Sequence, residues 1–78
     1  MNAIQCRMAR AALQMSVLDL AAAAKVAAGT VVRMEAGEEL KPRTVEAMRR
    51  AFEERGIVFI DGEAPGVKLS ATTRKKKR

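Results

Sequence analysis

The stretch Ser16-Val17-Leu18-Asp19-Leu20-Ala21-Ala22-Ala23-Ala24-Lys25-Val26-Ala27-Ala28-Gly29-Thr30-Val31-Val32-Arg33-Met34-Glu35-Ala36-Gly37 decides how the chain is read. Ser16 and Asp19 stand in the spacing of a capping box. The hydroxyl accepts from a free amide of the first turn, and the acid reaches back to the cap. A helix is predicted over Val17–Ala24, with Leu20, Ala21 and Ala24 on its inner side. Alanines there let another helix come close. Around Lys25-Val26 the apolar pattern shifts phase. A second short helix follows over Ala27–Glu35, anchored by Val31 and Met34 at i, i+3. Gly37 tolerates the left-handed conformation that ends helices and is well placed to stop it.

Outward from this pair, Asn2–Leu13 carries Met8, Ala9, Ala12 and Leu13 at helical spacing. Gly37 to Pro42 reads as a loop. Arg43–Arg55 is predicted as a helix with Val45, Met48, Ala51 and Phe52 on one side, opened by Pro42 and stopped by Gly56. Met8, Met34 and Met48 are expected in the core. Ile57-Val58-Phe59-Ile60 is β-branched and aromatic and reads as a strand. Asp61 to Gly66 is turn-rich, and Val67-Lys68-Leu69 is a candidate return strand. The expected division is a helical unit over 1–56, a strand or hairpin over 57–69, and a basic tail over 70–78.

Composition narrows the function classes. The chain has 78 residues, one cysteine, Cys6, and no histidine. One chain therefore cannot close a disulfide or assemble a zinc site of the usual ligand number, and His-dependent catalysis is excluded. No enzyme activity, metal or cofactor is expected. No stretch approaches the roughly 20 apolar residues of a membrane span, so a cytoplasmic location is expected. The net charge of +6 is unevenly spread. Arg74, Lys75, Lys76, Lys77 and Arg78 supply almost all of it, and the remainder is nearly neutral. Such a tail attracts nucleic acid without choosing a sequence.

Two short helices separated by a tight turn, with a helix on each side, make a helix-turn-helix arrangement. Ser16-Val17-Leu18-Asp19-Leu20-Ala21, Ala24-Lys25-Val26, Thr30-Val31 and Met34-Glu35-Ala36-Gly37, followed by Pro42, resemble the Cro/CI-like (XRE-type) helix-turn-helix regulators. The resemblance covers roughly residues 5–56. It implies a mainly α fold: a four-helix, lambda-repressor-like domain with a short C-terminal β-strand or hairpin. The helix from Ser16 is then the supporting helix and the one from Ala27 the recognition helix. Base contacts are implied at Ala28, Gly29, Val32 and Arg33. Backbone contacts are implied at Arg10, Val17, Lys25, Thr30 and Lys41. The chain departs from the family at Val17, where a glutamine is usual, at Lys25 in place of the turn glycine, and at Ala27 in place of a serine. Lys25 must then accept a φ that its Cβ disfavours, or the turn must differ.

The implied function is sequence-specific binding of double-stranded DNA, as a homodimeric transcriptional repressor on a palindromic operator. A protein-interaction module such as an anti-activator is the alternative, because Ala27, Ala28 and Gly29 suit close helix packing. Two residues have a second role open to them. Arg33 also fits an ordinary solvated helix position, and Arg10 fits an internal pair with Glu35. Ile57, Val58, Phe59, Ile60, Val67 and Leu69 are expected to make the dimer, since an isolated hairpin is marginal in water; the alternative is a dimer through helix faces, with the hairpin folded onto its own chain.

Overall fold

The computed structural model describes residues 1–70. Its elements run α1 (Ala3–Leu13), α2 (Val17–Ala24), α3 (Ala28–Glu35), α4 (Pro42–Glu53), β1 (Ile57–Ile60) and β2 (Gly66–Leu69). The protein is mainly helical with one antiparallel two-stranded hairpin. The basic run Arg74–Arg78 lies outside the described residues.

Local chemistry starts the helices. Asn2 Oδ1 accepts from the Gln5 amide at 2.7 Å, and Gln5 Oε1 accepts from the Asn2 amide at 2.9 Å. Ser16 and Asp19 close the expected reciprocal box on α2, at 3.0 and 2.9 Å. Pro42 occupies the first turn of α4, where its missing N–H costs nothing.

The ends of α1, α2 and α3 share one device. Amides beyond each helix fold back to its last carbonyls in the paired bonds of a Schellman turn. Met15 N donates to Arg10 O, Val26 N to Ala21 O, and Glu38 N to Arg33 O. The residue at the turn must have positive φ. In α3 it is Gly37, as its position in the sequence predicts, at φ 91°. In α1 and α2 it is Gln14 at φ 57° and Lys25 at φ 60°. Lys25 thus adopts the disfavoured conformation, and α2 breaks there as the motif requires. A side chain in that region costs roughly 1–2 kcal/mol, partly offset because Gly loses more freedom on folding. Lys25→Gly is therefore expected to stabilise the protein by roughly 0.5–1 kcal/mol and raise Tm by about 2–8 °C. A thermal melt followed by circular dichroism checks this. A lower Tm would show that Lys25 holds the turn through its side chain.

Leu20, Ala21 and Ala24 of α2 and Val31 and Met34 of α3 are buried, as their spacing requires. With Cys6, Ala9, Met48, Ala51, Phe52, Ile57 and Phe59 they form one core. One expectation is corrected. Met8 is 39% exposed and Ala12 also faces outward, because α1 turns Gln5, Cys6 and Ala9 inward instead. Val45 is half-buried and packs against the core from the edge of the α4 face. α4 runs Pro42–Glu53, within two residues of the expected bounds, and a turn leads from it to Gly56 at φ 98°.

The hairpin pairs Ile57 with Leu69, Val58 with Lys68, Phe59 with Val67 and Ile60 with Gly66. Its inner face lies on the helices of its own chain. The Phe59 ring meets Phe52 edge-on at 6.1 Å, and the Arg49 guanidinium sits 4.9 Å from its centroid. The buried Gln5 carboxamide donates to Ile60 O at 2.9 Å and to Gly66 O at 3.2 Å. No second copy is needed to cover that face. Among the described residues, no helix is long and apolar enough to cross a membrane.

Candidate nucleic-acid interface

α2 and α3 are joined by Lys25, Val26 and Ala27, which turn the chain sharply before α3 begins. Val31, Met34 and Glu35 then face the body. At 100° per residue, Gly29, Val32, Arg33 and Ala36 fall within an arc of about 100° on the opposite side. All four are exposed, Val32 at 55%. Three of the four implied base-contacting residues thus share one outward strip. The fourth, Ala28, is half-buried and packs against the core.

The α3 N-terminus has no side-chain cap among the described residues, and its Thr30 amide donates to Ala27 O at 3.0 Å. Ala27 caps it without a side-chain hydrogen bond, so the first-turn amides have no side-chain acceptor. α2 differs. The Ser16 hydroxyl accepts from the Asp19 amide and the Asp19 carboxylate from the Ser16 amide, and Asp19 adds a negative charge there. Val17, at the implied backbone contact on this turn, is half-buried and offers no polar side-chain atom. Thr30 is half-buried, while Lys25 and Lys41 are exposed.

Gly29 lies inside α3 on the exposed side. A Cβ built on it meets nothing within 4 Å. Glycine inside a helix costs roughly 0.5–1 kcal/mol relative to alanine, so the fold gains nothing by it. What it creates is a flat place on the outward strip.

The cation on this strip is Arg33. Its Nε donates to Glu38 Oε1 at 3.0 Å, and both side chains are 55% exposed. Glu38 lies beyond the helix, brought back by the Gly37 turn. A spacing of five residues with an intervening cap carries no pair signal in sequence.

Arg10 takes the second role open to it. Its Nε and Nη2 donate to the two carboxylate oxygens of Glu35 at 2.7 and 2.8 Å, and Nη1 donates to Met15 O at 3.1 Å. The Cys6 thiol donates to Glu35 Oε2 at 3.3 Å, and Arg7 Nη2 donates to Glu35 O. Hydrogen bonds from Arg10 hold the Glu35 carboxyl below the ordinary range despite burial. Burial and the adjoining carboxylate push the Cys6 thiol up to about 12, so it stays protonated. The cluster is a clamp between α1 and the last turn of α3, and it sets the angle at which the outward strip is held.

The six residues expected to dimerise divide by face. Ile57 and Phe59 are in the core, and Val67 and Leu69 are half-buried against it. Val58 and Ile60 are 47% and 39% exposed on the outer face of the hairpin. Sequence reasoning missed the tether made by Gln5, although Asn2 and Gln5 stand at capping-box spacing. It also missed the exposure of Leu18, which reaches 70%.

Comparison of the chain with protein-family models, with curated proteins and with solved structures gives no match in any of the three.

Proposed function

We propose that the protein binds double-stranded DNA sequence-specifically through a lambda-repressor-like helix-turn-helix, and acts as a homodimeric repressor on a palindromic operator. In this reading α2 supports and α3 enters the major groove, which is wide enough to admit an α-helix. The observation that carries it is the outward strip of α3. Three of its residues anchor the helix, and the opposite side presents Gly29, Val32 and Arg33 to solvent. The empty space over Gly29 lets a partner surface come close to the backbone. Arg33 supplies the fork suited to guanine, and Val32 a methyl surface for thymine. The Ala28 and Gly29 amides at the start of α3, which have no side-chain acceptor among the described residues, suit a phosphate. The basic residues Arg74–Arg78 add sequence-independent attraction.

The test is a mobility-shift titration against the DNA upstream of the protein's own gene, with wild type and Arg33→Ala. A bidentate arginine–guanine contact discriminates by about 1–3 kcal/mol, so the variant should bind the specific site about 5- to 150-fold more weakly. Its Tm should barely move, because an exposed pair such as Arg33–Glu38 contributes at most about 1 kcal/mol. Unchanged operator affinity in the variant would remove Arg33 from base reading.

One observation favours the second reading, a protein-interaction module. Leu18 and Val32 expose apolar side chains on α2 and α3, and only Arg33 on the α3 strip is charged. A wild-type protein that shifts no DNA at low salt would support that reading over the first.

A further inference from the structure

Arg33 and Glu38 are joined twice. The Glu38 amide donates to Arg33 O at 3.1 Å, and the Gly37 amide donates to Met34 O at 3.1 Å, the paired bonds that end α3. The same turn carries the Glu38 carboxylate back to the helix, where Oε1 accepts from Arg33 Nε at 3.0 Å. Gly37, at φ 91°, makes that return possible. The side-chain bond uses Nε alone. Among the described residues nothing accepts from Nη1 or Nη2. The guanidinium therefore keeps both terminal nitrogens to donate together to one pair of acceptors. Glu39, next along the chain, is exposed too and makes no bond to Arg33.

We propose that Glu38 is a positioning residue for base reading by Arg33: the carboxylate holds Nε, and the Nη1–Nη2 end meets O6 and N7 of a guanine. This role rests on the DNA-binding reading above and adds a specificity-determining residue to it. Two physical effects carry it. An arginine already held by a partner has fewer rotamers left to lose on binding, so the specific contact gains from the bond. The carboxylate also offsets the charge of the arginine at 3.0 Å. Binding to DNA of any sequence follows the number of phosphates neutralised, so it depends on that charge. Donating to two acceptors of one base depends on geometry as well. The pair thus holds down random binding more than guanine reading. Both side chains are exposed, so the coupling is modest, at most about fivefold in an equilibrium constant.

The test is a set of mobility-shift titrations of the full chain against the DNA upstream of its own gene and against a random-sequence duplex, over a range of salt. The proteins are wild type, Glu38→Gln, Glu38→Ala, Glu39→Gln, and Arg33→Ala with and without Glu38→Ala. Circular dichroism should show all of them folded, since the altered side chains are exposed. Glu38→Ala should bind the random duplex more tightly, and its preference for the upstream site should fall about two- to fivefold. Its salt slope on the random duplex should steepen by up to about 0.9, one added phosphate contact. Glu38→Gln keeps an acceptor for Nε and should lose less of the preference. In the Arg33→Ala background, Glu38→Ala should leave the preference unchanged. Glu39→Gln removes the same charge one residue away and should also leave it unchanged. Simple repulsion of phosphate by Glu38 gives a different result. Glu38→Ala and Glu39→Gln would then tighten both duplexes equally, with or without Arg33. That result overturns the proposal, as does an unchanged or raised preference in Glu38→Ala, and both leave the proposed function standing. A wild type that shifts no DNA, or that prefers no sequence, sinks the proposed function and this role together.

Discussion

Replacing Glu35 with alanine is expected to destabilise the protein by about 2–4 kcal/mol. Removing one partner of a buried ion pair costs about 3–5 kcal/mol, because the remaining charge is left without its hydrogen bonds. Arg10 keeps 22% of its side-chain surface in water, which moderates the loss. The Cys6 thiol loses its acceptor as well. At about 4–8 °C per kcal/mol for a domain of this size, Tm should fall by at least about 8 °C. Glu35→Gln keeps hydrogen-bonding atoms and should lose less. The pH dependence has a definite sign. Folding lowers the Glu35 pKa, so its contribution is complete above the unfolded value of about 4.3. It is lost as pH falls through the folded value. Urea titrations at neutral pH and in acid should show the gap between wild type and Glu35→Ala closing in acid. A gap that stays constant would mean that packing, and not the ion pair, carries the loss.

A larger loss is expected for Phe52→Ala. Phe52 is fully buried and meets Phe59 edge-on, so it joins α4 to the hairpin as well as filling the core. Truncating a core phenylalanine costs about 3–5 kcal/mol, from lost transfer energy and the cavity left behind. A chain of this length has about 4–12 kcal/mol to lose, from roughly 0.05–0.15 kcal/mol per residue. The variant should therefore be marginal, with a much lower urea midpoint. If the whole molecule unfolds as one unit, the slope against urea should not change. A loss below about 1 kcal/mol would mean that the core repacks around the gap, since such losses fall well outside the usual range for phenylalanine.

The two helices that frame the candidate interface were legible for a local reason. Ser16 and Asp19 cap α2 within one turn, and Gly37 supplies the positive φ that closes α3. Both signals act over a few residues, so reading them needs no partner from elsewhere in the chain. The inner faces of α2 and α3 followed from apolar spacing alone. α1 did not yield to the same treatment. Spacing suggested Met8, Ala9, Ala12 and Leu13, whereas the structure turns Gln5, Cys6 and Ala9 inward. A polar residue was buried in preference to methionine because its amide meets the carbonyls of Ile60 and Gly66, more than fifty residues away.

The same contrast runs through the candidate site. By itself the amino-acid sequence determined the order of elements, the break at Lys25, the outward position of Arg33 and the concentration of positive charge in Arg74–Arg78. These depend on backbone preferences, caps and the helical period, which are set by neighbours in the chain. Only the tertiary structure forms the Arg10–Glu35 pair, because Glu35 reaches Arg10 once α1 and α3 have packed. It also decided that Ile57 and Phe59 belong to the core of their own chain while Val58 and Ile60 remain exposed. A strand's alternation names two faces but not which one is covered. That choice is made by the helices it lands on, through Phe52, Arg49 and Gln5.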